Sequence, residues 1–399
     1  MSLNSEEGII SQTVSSSSSS SCHYQCIATL SGNSSYVSGL AVDGDSLYVA
    51  SSDGHIRLWP LAMVREESSS SSSQGEVSSS TTVAVTGSPV KCLAATGDGL
   101  VSSHQDGTIR VWRRHTGSRR RLALRAVLPT AADCLRAFLL PGGGYVEVRR
   151  HKRRAWVHHV DAVAALALSP DGKSMYSVSW DRSLKAWRLP GLRCAESVAA
   201  AHDDAINAVV AAPDGNVYTA SADGTVKAWR RHPGQKKLSL VCVMERHGAA
   251  VNALALGGGG GGRVLYSGAC DRSVVVWENS AGAGGADVRM VATATLRGHA
   301  RAVLCLAADG DVVCSGSADR TVRVWRRGAA AAAAYTCLAV LDGHGGAVKS
   351  LALARGGAGC DRCCACHVEE SSSCSCTALV CSGSLDCDVK LWRVTISGL

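Results

Sequence analysis

Serine, histidine and aspartate, the residue types of a hydrolytic triad, recur together along this 399-residue chain, the Ser always two residues before the Asp. The sets are His159/Ser179/Asp181, His202/Ser221/Asp223, His299/Ser317/Asp319 and His344/Ser384/Asp386. A triad activates one serine hydroxyl beside one substrate, so a reactive centre has no reason to return along a chain. Here each set comes with a tryptophan six residues after the Asp: Trp187, Trp229, Trp325 and Trp392. With it the set reads as a buried hydrogen-bond chain. The Asp accepts from the His, the His engages the Ser two before the Asp, and that Ser reaches the indole N–H. These are four expected structural tetrads and no catalytic residue. The fifth repeat has Ala269 at the Ser position, and the first two repeats lack the His.

Two other clusters could do chemistry. Cys360, Cys363, Cys364 and Cys366, followed by His367 and Cys374-Ser-Cys376, offer soft ligands near metal-binding spacing. Zinc knuckles pair two C-x-x-C turns, whereas here a C-x-x-C meets a C-x-C, so no metal is expected. Between Arg113 and Val157 twelve Arg and Lys stand against Asp133 and Glu147. This one segment exceeds the net charge of the whole chain, +8. Its densest part, Arg149, Arg150, Lys152, Arg153 and Arg154 with Trp156 close behind, is the candidate partner-binding surface, and an acidic protein segment is its natural complement. A cationic run can also act as a localisation signal or a phosphate-binding patch. With only Tyr145 and Trp156 as nearby aromatics and no reader motif, direct nucleic-acid binding is the weaker reading.

The elements that must position these residues follow from the Asp-to-Trp interval. It recurs without slippage at Asp53/Trp59, Asp106/Trp112, Asp181/Trp187, Asp223/Trp229, Asp271/Trp277, Asp319/Trp325 and Asp386/Trp392. Between each Asp and Trp, apolar and polar residues alternate with the period of a strand. A fixed motif returning every 42 to 75 residues marks a repeat architecture. In the first repeat the strands are expected at Val37–Val42, Ser46–Ala50 and His55–Trp59. From the third repeat on, a His stands four residues before the aliphatic residue that opens a strand, as His159 before Val163. Only seven residues follow Trp392, too few for an outer strand, while Tyr24–Leu30 precedes the first repeat without a unit of its own. That strand is therefore expected to complete the last unit and close a ring.

The His start, the Ser-x-Asp turn and the terminal Trp resemble WD40 repeats, although no copy ends in Trp-Asp. The resemblance implies an all-β, seven-bladed propeller over 23–399, preceded by a Ser-rich tail over 1–22 that is expected to be disordered. The blades should end near 59, 112, 187, 229, 277, 325 and 392, with an ordered insertion at about 129–157. Within that insertion Thr130 to Asp133 reads as a capping box opening a short helix with Leu135, Phe138 and Leu139 on one face. Other insertions, Ser68–Ser73, Gly257–Gly262, Gly282–Gly285, Ala329–Ala334 and Gly356–Cys376, fall between first and second or third and fourth strands, hence on the face opposite the His and Asp.

Within that class, Leu128 to Phe138, Tyr145 to Lys152 and Trp156 to Val163 resemble the plant JINGUBANG family, as do Ser179 to Trp187 and Ala201 to Asn207. This implies a non-enzymatic regulator that restrains pollen germination or related growth by contacting other proteins, transcription factors among them. A ubiquitin-ligase adaptor would need Trp-Asp-x-Arg at a blade's end, and Trp180-Asp181-Arg182 lies in a turn instead. Nothing marks a phosphate loop, nucleophile elbow or catalytic carboxylate pair. The N-terminus lacks a basic start and an apolar core, and no apolar run reaches membrane-spanning length, so the expectation is a cytoplasmic or nuclear protein with reduced thiols.

Overall fold

A computed structural model describes residues 12–15, 21–61, 80–115, 118–139, 145–148, 152–232, 234–235, 237–259, 262–280, 289–328, 334–355 and 375–397. Seven antiparallel sheets of at least four strands form a closed ring, with the first strands of neighbouring blades packed side by side. We denote the strands of each blade a to d from the axis outward. Blade one is Val37–Asp43, Ser46–Ser51, His55–Pro60 and Thr81–Val85, so the third strand carries Trp59 as expected. Strand a is short and apolar on both sides because both flanks meet neighbouring blades, and Val37, Val90, Val163, Ile206, Val251, Val303 and Val348 are all buried at its start.

Blade seven is completed as the chain ends required. Ser21–Leu30 pairs with Val389–Ser397, placing Tyr24 opposite Val394 and Leu30 opposite Val389. The last blade's strand a, Val348–Arg355, then packs on the first blade's Val37–Asp43. Inside the stretch read as a disordered tail, Gln12–Ser15 forms a fifth strand against Ser21–Tyr24, so ordered pairing begins before residue 23.

The turn between strands b and c places the residue after each Asp in the left-handed region. Glycine takes it in three blades, as Gly54 at φ 84°, but Arg182, Arg272, Arg320 and Cys387 adopt φ of 68° to 73°. The Asp side chain offsets that cost by accepting the backbone N–H two residues on, as Asp181 does from Ser183 at 2.9 Å.

Ser118–Leu128 is strand d of blade two, and the insertion follows it: helix α1, Ala131–Leu139, then a hairpin of Tyr145–Val148 with Lys152–Ala155. Thr130 caps α1, its Oγ1 accepting from the Asp133 N–H at 3.2 Å and donating to the Asp133 carboxylate at 3.1 Å. The buried face differs from the expected one. Ala137 packs with Val157, Cys134, Trp156 and Cys194, whereas Leu135 and Leu139 are 60% and 73% exposed. The reason is that α1 meets Val157 and Cys194 through Ala137 and Cys134, and such small residues permit a close approach. No helix among the described residues is long and apolar enough to cross a membrane.

Candidate functional site

The face that carries every His and Asp is built by the d–a and b–c connections. In blade three, His159 places Nδ1 2.9 Å from Ser183 Oγ, whose hydroxyl donates to Asp181, and 3.3 Å from Asp181 Oδ2, and places Nε2 2.7 Å from Ser177 Oγ. Trp187 donates its indole N–H to the same Ser177 Oγ at 2.8 Å. A carboxylate only accepts, so Nδ1 carries the proton and Nε2 accepts from the serine hydroxyl. One direction of donation thus runs from Trp187 through Ser177 and His159 to Asp181, and the imidazole is neutral. Burial lowers the His159 pKa, against the raising pull of Asp181.

The hydroxyl in this chain corrects the sequence reading. It is the residue four before the Asp, not two. His202 meets Thr219 at 2.8 Å, His299 meets Ser315 at 2.8 Å and His344 meets Ser382 at 2.8 Å, each shared with the indole of its blade. Ser179, Ser221, Ser317 and Ser384 instead accept the N–H of Asp181, Asp223, Asp319 and Asp386 and so shape the turn. Strand register explains this. Trp187 lies opposite Met175, which puts Ser177 diagonally beside the indole and Ser179 roughly 13 Å up the strand. A hydroxyl ten residues before six of the seven Trp was the signal available in the sequence. By that rule blade five is complete, with His247 bridging Asp271 and Ser267 at 2.8 Å each, despite Ala269. Blade two also holds an imidazole: His104, in the turn-serine position, reaches Ser102 at 2.8 Å, and Trp112 donates to that Ser102.

None of these hydroxyls can act as a nucleophile. Ser177, Thr219, Ser315 and Ser382 are fully buried and already accept an indole proton.

A second regularity escaped the sequence reading. The residue four after the Asp is a cation in six blades: Arg57, Arg110, Lys185, Lys227, Arg323 and Lys390. Four of them reach the connection that enters their own blade, while Arg323 and Lys390 meet Cys337 and Thr29 on strand d. Lys185 Nζ donates to the Trp156 carbonyl at 2.7 Å, and Lys227 Nζ to the Ala201 carbonyl at 3.0 Å. Arg110 donates to the Thr86 carbonyl and Arg57 to Asn33 Oδ1. Blade five has Val275 there.

At the inner rim of this face, Trp180, 42% exposed, stands in the blade three turn with the Lys91 ammonium 4.9 Å from its ring centroid. Burial lowers the Lys91 pKa, and the exposed Lys349 ammonium of blade seven lowers it further, while Asp161 opposes them. Leu385, 47% exposed, holds in blade seven the position Trp180 holds in blade three, its N–H bonded to the Ala347 carbonyl two residues before Lys349. The small Ser38 and Ser52 of blade one occupy the matching positions between them. Two ammonium groups and two exposed apolar side chains therefore share one arc.

Six segments, 24–60, 78–113, 151–188, 195–230, 238–278 and 290–326, match the family described as WD domain, G-beta repeat. The chain belongs to the WD40 family. Mouse Striatin-4 is 29% identical over 219 residues, covering 50% of this chain and 28% of that protein, and human Striatin-4 matches over the same shares. The chain thus spans less than a third of the curated relatives it matches. Among solved structures, the WD40 β-propeller domain of Doa1 superposes with a TM-score of 0.59 at 18% identity, covering 92% of this chain and 96% of that one, which shows the shared fold.

Of the sequence candidates, Arg149 and Arg150 lie outside the described residues, as do Cys360, Cys363, Cys364 and Cys366. Lys152, Arg153 and Arg154 lie on the second strand of the insertion hairpin, paired with Val148, Glu147 and Val146. Trp156 is half-buried against the α1 cluster, so its ring serves packing.

Proposed function

We propose that this WD40 protein is a non-enzymatic interaction scaffold that holds acidic segments of partner proteins on its His/Asp face. The arc of Lys91, Trp180, Lys349 and Leu385 supports this most directly. Blade packing leaves these side chains partly open to solvent, and their chemistry suits carboxylates flanked by an apolar residue. The basic segment Arg149, Arg150, Lys152, Arg153 and Arg154, whose last three residues lie on the strand Lys152–Ala155 within the d–a connection after blade two, is a second contact for the same class of partner. The insertion's resemblance to the plant JINGUBANG family extends the reading to a cytoplasmic or nuclear regulator that restrains pollen germination or growth by binding transcription regulators. Proximity labelling with intact protein and with those five cations changed to Ser tests the second contact. Loss of a defined subset of neighbours is expected, and an unchanged list removes the hairpin from the binding surface.

A further inference from the structure

Blade five departs from the repeat at one buried position, and a groove lies along the outer strand of the same blade. In blades three and four, strand c places a lysine two residues before the Trp, and its ammonium pins the entering connection. Val275 stands there in blade five, packed with Trp277, and makes no such link to the entering residues Glu245 and Arg246. A groove of about 540 Å3 lies between the outer strands of blades four and five, Ser239–Glu245 and Met290–Arg297. Trp277 reaches its floor, and its N–H is already given to Ser267, so only the ring is on offer. Val243 and Val291, 43% and 42% exposed, are opposite walls, with Met244 and Met290 beside them. Both valines face water at a cost that burial under a partner would recover, and methionine adapts to varied side chains. The exposed guanidinium groups of Arg246 and Arg289 border the groove against one carboxylate, Glu245.

We infer that this side groove is a second docking site, separate from the His/Asp rim, for an extended peptide carrying an apolar side chain flanked by acidic ones. The apolar side chain lies between Val243 and Val291 over Trp277, and the carboxylates meet Arg246 and Arg289. The groove's residues carry this site independently of Lys91 and Trp180.

The test uses the full chain and a fluorescein-labelled peptide, Asp-Glu-Leu-Met-Asp-Glu, followed by anisotropy. In a Lys91→Glu/Trp180→Ala background that removes the rim contact, the expected result is saturable binding that Val291→Asp and, separately, Arg289→Glu weaken by about tenfold or more, while Val85→Ala, on the outer strand of blade one, leaves it intact. Arg289 is exposed at the surface, so its replacement reports on binding even if Val291→Asp folds poorly. A lysine-for-acid version of the peptide should bind the Arg246→Glu/Arg289→Glu double variant better than the intact chain. Absence of saturable binding, or binding that neither Val291→Asp nor Arg289→Glu weakens, overturns the proposal.

Discussion

The indole N–H of Trp59 is buried without a hydrogen-bond partner, and Val49 stands where six other blades place the hydroxyl that accepts it. Blade one is thus the incomplete copy of a buried polar chain. Blade four uses a threonine, Thr219, at this node, so Val49→Thr fits by shape. The added hydroxyl gives the indole an acceptor at little loss of packing. The expected change is a gain of about 1 kcal/mol in urea unfolding. A loss of similar size would mean that Trp59 is satisfied by another route.

The correction to the serine position makes a paired prediction. Ser177→Ala strips both His159 and Trp187 of their shared partner inside the blade. That should cost about 2–4 kcal/mol, because two buried polar groups are orphaned. Ser179→Ala removes the bond from the Asp181 N–H and the one to the Asp161 carbonyl but leaves His159 and Trp187 paired, and should cost about 1–2 kcal/mol. Equal losses in chemical denaturation would contradict the assignment.

Much of this protein is legible in its sequence, and the limits have physical causes. The seven Asp-to-Trp intervals set the blade count, and the missing outer strand after Trp392 called for Ser21–Leu30. The tetrad chemistry was legible, but its hydroxyl was not assigned, because proximity in sequence favoured Ser179 whereas register favours Ser177. Nothing local to Trp180 sets it apart from Trp156. One is exposed because a turn carries it to the rim, and the other turns inward because α1 covers it. The exposed Leu135 shows the same point, since an apolar stripe cannot say which side meets blade three.

Acid should destabilise the ring in two steps. Burial pushes the His104 imidazole from 6.5 down to about 4, with Arg110 adding to it, and burial also lowers His202, His299 and His344. The unfolded chain takes up these protons near 6.5 and the folded chain does not, so stability falls as pH drops from there towards about 4. Burial raises the Asp319 carboxyl, but bonds from Thr321 and His299 outweigh it and hold it at about 2. Its contribution is present above the ordinary value of 3.8 and is lost between there and about 2. Urea midpoints followed from neutral pH to about pH 4.5 should decline steadily. A flat profile would mean that the imidazoles are protonated in the folded state.

Ring closure by the N-terminal strand can be tested by deletion. Removing residues 1–30 uncovers Trp392, Val394 and Ile396, now buried, and leaves strand c of blade seven as an open edge. The truncated chain should aggregate or melt well below the intact protein. An unchanged melting temperature would show that the ring closes without this strand.

The proposed grip on partners at the rim of the His/Asp face rests on Lys91 and Trp180. The most direct measurement is the Kd of a reproducible proximity-labelled partner for the intact chain and for the Lys91→Glu/Trp180→Ala double variant, with melting temperatures recorded alongside. Both side chains lie at the surface, and their pairing contributes only about 1 kcal/mol to folding. The account predicts binding weakened by about tenfold or more with little change in melting. Unchanged affinity in a folded double variant would contradict it.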